Sequence, residues 1–117
     1  MTYELNEYQK SWLEDLETTD AKQCKGMLAK DGGFCCLGRA YVANGEVTPL
    51  GPYPDEGMVF KLQLICSEGS IGEFKDDEDH RSLADMNDEG EMTFKQIASF
   101  IRDNPHRVWA DYELQCS

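Results

Sequence analysis

The chain has 117 residues, with 23 acidic side chains against 11 basic ones for a formal net charge of −12, and 40% of it is hydrophobic. At this length folding buries only about two-thirds of the unfolded surface, so a single domain with one core is expected over 1–117. The charge repels nucleic acid and anionic lipid, which sets aside direct DNA or RNA binding and membrane association and favours partners with basic surfaces.

In chain order, Leu5, Tyr8, Trp12, Leu13 and Leu16 recur at three- and four-residue steps, with Asn6 and Gln9 spaced as a capping pair. This predicts an amphipathic helix that ends at Thr18-Thr19-Asp20. Short runs at 25–29 and 34–37 flank Lys30-Asp31-Gly32-Gly33, and an Asp-Gly pair in that setting predicts a small β-hairpin. Leu37, Ala40 and Tyr41 share a helical stripe that stops at Asn44-Gly45, where glycine takes the left-handed conformation without steric cost. Pro49, Gly51, Pro52 and Pro54 predict a loop over 46–54.

The segment 58–66 fits two periods. Phe60, Leu62 and Leu64 alternate as in a strand, while Met58, Leu62 and Ile65 fit a helix; the helix is preferred. A short strand is expected at 69–74, then a short helix starting between Asp79 and Ser82 and running through Leu83 and Met86. The last helix has the clearest signature: Thr93 and Gln96 as a capping box, Met92 and Ile97 as a hydrophobic staple, and Phe94, Ile97, Ala98 and Ile101 as the buried stripe before Asn104-Pro105. The fold class is α+β, mainly α: a single compact domain of about four short helices with a small β-hairpin.

Cys24, Cys35, Cys36, Cys66 and Cys116 are odd in number and two are adjacent, which suits free thiols in a reducing cytosol better than a disulfide framework. No CxxC or HxxxH spacing joins them to His80 or His106, so zinc is not expected. A nucleophile built from Cys35 or Cys36 with His80 or His106 is the enzymatic alternative. Buried structural thiols are the favoured reading for cysteines flanked by Phe34 and Leu37. Residues 85–96 follow a calcium-loop frame at Asp85, Asn87, Glu89, Gly90 and Met92, but Gln96 stands where a bidentate glutamate is needed. The capping box accounts for Thr93 and Gln96 without a metal. No cofactor or metal is expected.

The charge is uneven. From Glu68 to Glu91 ten acids face two bases, a local −8. Asp76, Asp77, Glu78, Asp79, Asp88, Glu89 and Glu91 are the candidate partner-binding residues, suited to a basic groove as a mimic of a phosphate backbone. From Ala21 to Arg39 the sign reverses, with Lys22, Lys25, Lys30 and Arg39 against Asp31 alone. These cations, with the amides of Gly26, Gly32 and Gly33, form a candidate cradle for a small phosphorylated ligand. The plainer reading is that they solvate a hairpin and offset neighbouring acids.

The blocks Trp12-Leu13-x-x-Leu16, Lys22-Gln23-x-x-Gly26-x-Leu28, Phe34-Cys35-Cys36-Leu37-Gly38, Asn87-Asp88-x-Gly90 and Phe94-x-x-Ile97-Ala98-x-x-Ile101 stand together in this chain. On them it resembles a family of small bacteriophage and prophage proteins to which no activity is assigned. The resemblance implies a phage origin and the host cytoplasm as working compartment, and it transfers no site residue. Small acidic phage proteins outside the virion often inhibit host enzymes or host immunity. By that analogy the expected function is non-enzymatic: inhibition of a host defence or nucleic-acid-handling protein through the acidic surface. A sponge for a phosphorylated nucleotide immune signal and a cysteine-dependent hydrolase are the alternatives.

Overall fold

In the computed structural model, which describes residues 3–67, 69, 83–88 and 92–116, the first helix starts where the sequence supplies a reciprocal cap. Asn6 Oδ1 accepts the Gln9 N–H at 2.8 Å and Gln9 Oε1 accepts the Asn6 N–H at 2.7 Å, opening α1 (Glu7–Thr18). The same two residues also reach across the molecule. Asn6 Nδ2 donates to the Lys61 carbonyl at 3.0 Å, and the buried Gln9 donates to the Leu62 carbonyl and the Tyr3 hydroxyl, each at 2.9 Å. A local capping device thereby fixes the distance between α1 and the end of a later helix, as buried amides must find partners.

The hairpin forms as expected. Strands β1 (Ala29–Lys30) and β2 (Gly33–Phe34) pair antiparallel, with Ala29 opposite Phe34 and Lys30 opposite Gly33. Asp31 and Gly32 both lie at positive φ, 51° and 80°, as a two-residue type I′ turn demands. The outer edge of β2 is covered by the preceding segment: Phe34 donates to the Lys22 carbonyl and Cys24 donates to the Phe34 carbonyl, each at 2.8 Å. Helix α2 (Gly38–Ala43) follows at once. A Cβ on Gly38 would lie 1.9 Å from the Leu28 carbonyl oxygen, so the close approach of α2 to the hairpin requires a residue without a side chain.

The loop over 46–54 leads into α3 (Glu56–Lys61), whose Asp55 cap accepts the Met58 N–H at 2.9 Å. Tyr41 receives the Asp55 N–H on its hydroxyl at 2.9 Å, and burial, the largest influence on it, raises the Tyr41 pKa. The two periods seen in 58–66 divide the segment between them. Helix runs only to Lys61; Gln63, at φ 53°, turns the chain, and Leu64 then bridges antiparallel to Trp109. Ile65 donates to the Val108 carbonyl at 2.9 Å and Ala110 to the Gln63 carbonyl at 2.6 Å.

Helix α4 (Leu83–Asp88) matches the short helix through Leu83 and Met86. Its expected start at 79–82 and the expected strand over 69–74, Gly69 apart, lie outside the described residues. Helix α5 (Phe94–Asp103) carries the expected capping box between Thr93 and Gln96 and buries Phe94, Ile97, Ala98 and Ile101. The α+β, mainly α class of short helices with a small hairpin is what the chain adopts. Two further segments, α6 (Pro105–Val108) and α7 (Tyr112–Cys116), bring the helices among the described residues to seven. Both are too short to be specified by periodicity and are held by packing.

The core lies where α1 packs on α2 and α5. Trp12 meets Trp109 edge to face at 6.1 Å between ring centroids, and Tyr3 stacks on the other side of Trp109 at 5.9 Å, geometries that suit the ring quadrupoles. The Tyr3 hydroxyl donates to Asp111. On the surface Arg102 grips Glu17 with two bonds of 2.6 and 2.8 Å, and this guanidinium holds the Glu17 carboxyl below its usual range. Both groups are exposed enough that solvent screening keeps the pair near ~0.5 kcal/mol. The radius of gyration, 13.2 Å, is that of a compact chain of this length. Among the described residues no helix is long and apolar enough to cross a membrane.

The Gly38 contact generates a prediction. Gly38→Ala should cost about 3 kcal/mol, because the methyl group meets backbone rather than a movable side chain. Urea unfolding should give a lower midpoint at unchanged m-value; an unchanged midpoint would mean that the Leu28 backbone yields freely.

Candidate functional site

Three of the sequence blocks meet on one side chain. Asn87, buried on α4, donates from Nδ2 to the Cys24 carbonyl at 2.8 Å, and its Oδ1 accepts the Cys36 N–H at 3.1 Å and Gln23 Nε2 at 2.7 Å. Gln23 Nε2 also donates to the Met92 carbonyl at 2.8 Å. Trp12 Nε1 donates to the Cys36 carbonyl at 2.8 Å. Sequence blocks around positions 23, 36 and 87 are therefore tied into one buried polar network, whose members rigidify a core when every group is satisfied. Asn87 is also the third position of the calcium-loop frame, and its amide faces inward to these protein partners.

The same network encloses the thiols. Cys36 is 0% exposed and Cys35 is 5% exposed. Cys35 Sγ accepts the Gly38 N–H at 3.3 Å, and Cys36 Sγ donates to the Leu83 carbonyl at 3.6 Å. His106 is exposed on α6 and meets the Tyr112 ring at 6.1 Å, while His80 lies outside the described residues. A thiol nucleophile has to be reachable by substrate, so the placement of Cys35 and Cys36 supports the packing role and weighs against the hydrolase reading.

The basic cradle is only partly assembled. Lys22, Lys25 and Lys30 are exposed, and Lys22 lies beside Gly33, where a Cβ would touch the Lys22 carbonyl at 3.0 Å. Arg39 does not join them. It is buried and grips Asp15 on α1 through Nε at 2.7 Å and Nη2 at 2.6 Å, with its guanidinium 5.0 Å over the Phe34 ring. A bidentate carboxylate occupies the fork that a phosphate would take. Arg39 is thus a structural link between α1 and the hairpin, and the expected four-cation cradle is reduced to three lysines. Gly33 is paired with Lys30 in the hairpin ladder, leaving Gly26 and Gly32 as the open glycine turns.

The candidate acidic surface falls largely out of view. Asp76, Asp77, Glu78, Asp79, Glu89 and Glu91 lie outside the described residues, and of Asp88 only its place at the end of α4 is described.

One surface feature has no counterpart among the sequence expectations. Phe60, 75% exposed at the last turn of α3, forms a ridge between two grooves. One groove, of about 350 Å³, is lined by Pro54, Glu56, Val59, Leu64 and Ala110 along with Phe60. The other, of about 670 Å³, is lined by Asn6, Glu7, Tyr8, Lys61 and Gln63 along with Phe60. The sequence does carry a signal for it: in the helical stripe of Met58, Leu62 and Ile65, Phe60 falls on the opposite face. Lys61 is engaged by Glu46 at 2.9 Å and lies 5.7 Å over the Tyr8 ring; hydrogen bonding to that carboxylate raises its pKa.

No family model, curated protein or solved structure matches the chain.

Asn87→Ala should cost about 3 kcal/mol by removing the amide that bonds the Cys36 N–H, the Cys24 carbonyl and Gln23. Asn87→Asp should be as harmful at neutral pH, since an ionised oxygen then faces the Cys24 carbonyl. Its folded-state pKa is raised by that burial, so stability should return as pH falls through it; an Asn87→Asp protein equally unstable at every pH would refute this account. Iodoacetamide should alkylate Cys35 and Cys36 far more slowly in the native chain than in urea, with the half-exposed Cys24 and Cys66 reacting first. Rapid native labelling of Cys35 or Cys36, mapped by mass spectrometry, would restore the hydrolase.

Proposed function

We propose that the chain is a non-enzymatic phage accessory protein that binds and inhibits a host defence or nucleic-acid-handling protein, acting in the host cytoplasm. The observation that carries this reading is the local −8 between Glu68 and Glu91, where ten acids face two bases. Such a density of carboxylates along the chain attracts a basic groove, speeding encounter and competing with an anionic natural ligand. Asp76, Asp77, Glu78, Asp79, Asp88, Glu89 and Glu91 are the proposed contact residues. The internal engagement of Arg39 by Asp15 and the enclosure of Cys35 and Cys36 favour this reading over the nucleotide sponge and the hydrolase.

Charge reversal provides the test. The combined change of Asp76, Asp77, Glu78 and Asp79 to lysine should abolish capture of the host target from expressing cells and relieve its inhibition, while the wild-type interaction weakens steeply with added salt. Inhibition that survives the four substitutions would remove this surface from the mechanism.

A further inference from the structure

The Phe60 ridge combines exposed apolar area with two flanking grooves. A large ring placed 75% in solvent at a helix end, with a groove on either side, is the form of an anchor site, where an aromatic side chain contributes area at little entropic cost. The backbone next to it is held in an unusual state. Gln63 adopts φ 53°, a conformation that costs a residue with a Cβ about 1 kcal/mol or more. It is fixed there by three bonds: its N–H and its Nε2 both donate to the Phe60 carbonyl, at 3.1 and 2.9 Å, and its own carbonyl accepts the Ala110 N–H. This clamp ends α3 one turn after Phe60 is presented and lets the chain dive to the buried Leu64.

Charge then selects the occupant. Each groove carries one carboxylate, Glu56 in the smaller and Glu7 in the larger, and neither forms an ion pair among the described residues. Lys61, the one cation lining the grooves among the described residues, is neutralised by Glu46. An apolar ridge between two uncompensated acids complements an apolar side chain flanked by Lys or Arg. A second copy of the chain would bring the same acids against one another on top of a net charge of −12.

We infer that the grooves on either side of Phe60 dock a short basic peptide segment of a protein partner, with one apolar or aromatic residue of that segment seated against Phe60 and its Lys or Arg neighbours facing Glu7 and Glu56. The inference uses no residue of the acidic run at 68–91 and does not rest on the function proposed for it.

The probe is a displayed library of random dodecapeptides, selected on the immobilised protein. Enriched sequences should combine an aromatic or branched apolar residue with flanking Lys or Arg. A synthetic peptide from that set, followed by fluorescence anisotropy, should bind the Phe60→Ser protein at least about tenfold more weakly. The Glu7→Gln, Glu56→Gln double variant should lose several-fold in affinity and much of its salt dependence. Phe60 is exposed, so its replacement leaves the fold intact, which a matched urea midpoint verifies. Reversing Asp76, Asp77, Glu78 and Asp79 should leave this binding in place. The inference is overturned by no enrichment, by acidic consensus sequences, by peptides indifferent to Phe60→Ser, or by a Phe60-dependent dimer in sedimentation equilibrium. Peptides lost only on the four-residue reversal would assign the basic ligand to the acidic run instead.

Discussion

The side-chain amide of Asn87 is the point through which the hairpin, the cysteine segment and α4 are held in one arrangement. Three of its bonds reach Gln23, Cys24 and Cys36, which stand in two stretches of chain on either side of the hairpin. Apolar packing alone would tolerate sliding between such short elements, since burial is roughly proportional to area and has little direction. A buried carboxamide does not tolerate it, because each displaced partner becomes an unsatisfied polar group. The Gly38 contact with Leu28 and the Trp12 bond to the Cys36 carbonyl then follow from the same placement: with Cys36 fixed from one side by Asn87, its carbonyl is presented to the indole from the other.

What could be read from the sequence was what is decided locally. The Asn6–Gln9 and Thr93–Gln96 boxes, the Asp31-Gly32 turn and the left-handed Gly45 each depend on a few neighbouring residues, and each lies where its spacing implied. The segment after Asn104 gave no such signal. Trp109 is buried because Tyr3 and Trp12 close on it from the far end of the chain, and α6 and α7 are single turns or little more that exist only in that company. The split of 58–66 into a helix and a bridge has the same cause, because the strand-like half is completed by Trp109.

The candidate sites divide along a similar line. Burial of Cys35 and Cys36 was legible from their flanking Phe34 and Leu37, since apolar neighbours on both sides imply a core position. The role of Arg39 was not, because it depends on Asp15, which lies 24 residues earlier and one helix away. Counting charge along the chain placed Arg39 among ligand-seeking lysines; in space a carboxylate had already claimed it. Phe60 illustrates the converse case, an apolar residue whose exposure could be deduced only once the helical period had been chosen over the alternating one.

The aromatic closure has a bearing on how the protein is made. Tyr3 lies against Trp109 and donates to Asp111, a bond between residues 108 positions apart. During synthesis the capped α1 can form early and close on α2, but the side of Trp12 that meets Trp109 stays open until that residue has left the ribosome. Contacts of such long range are slow to form, and chains that wait for them expose apolar surface meanwhile. The nascent chain would therefore leave the aromatic cluster of Tyr3 and Trp12 unfinished until Trp109 is made, after the dense acidic run at 68–91 has emerged. In that interval the run's mutual repulsion, whatever else it serves, keeps neighbouring unfinished chains from sticking to one another.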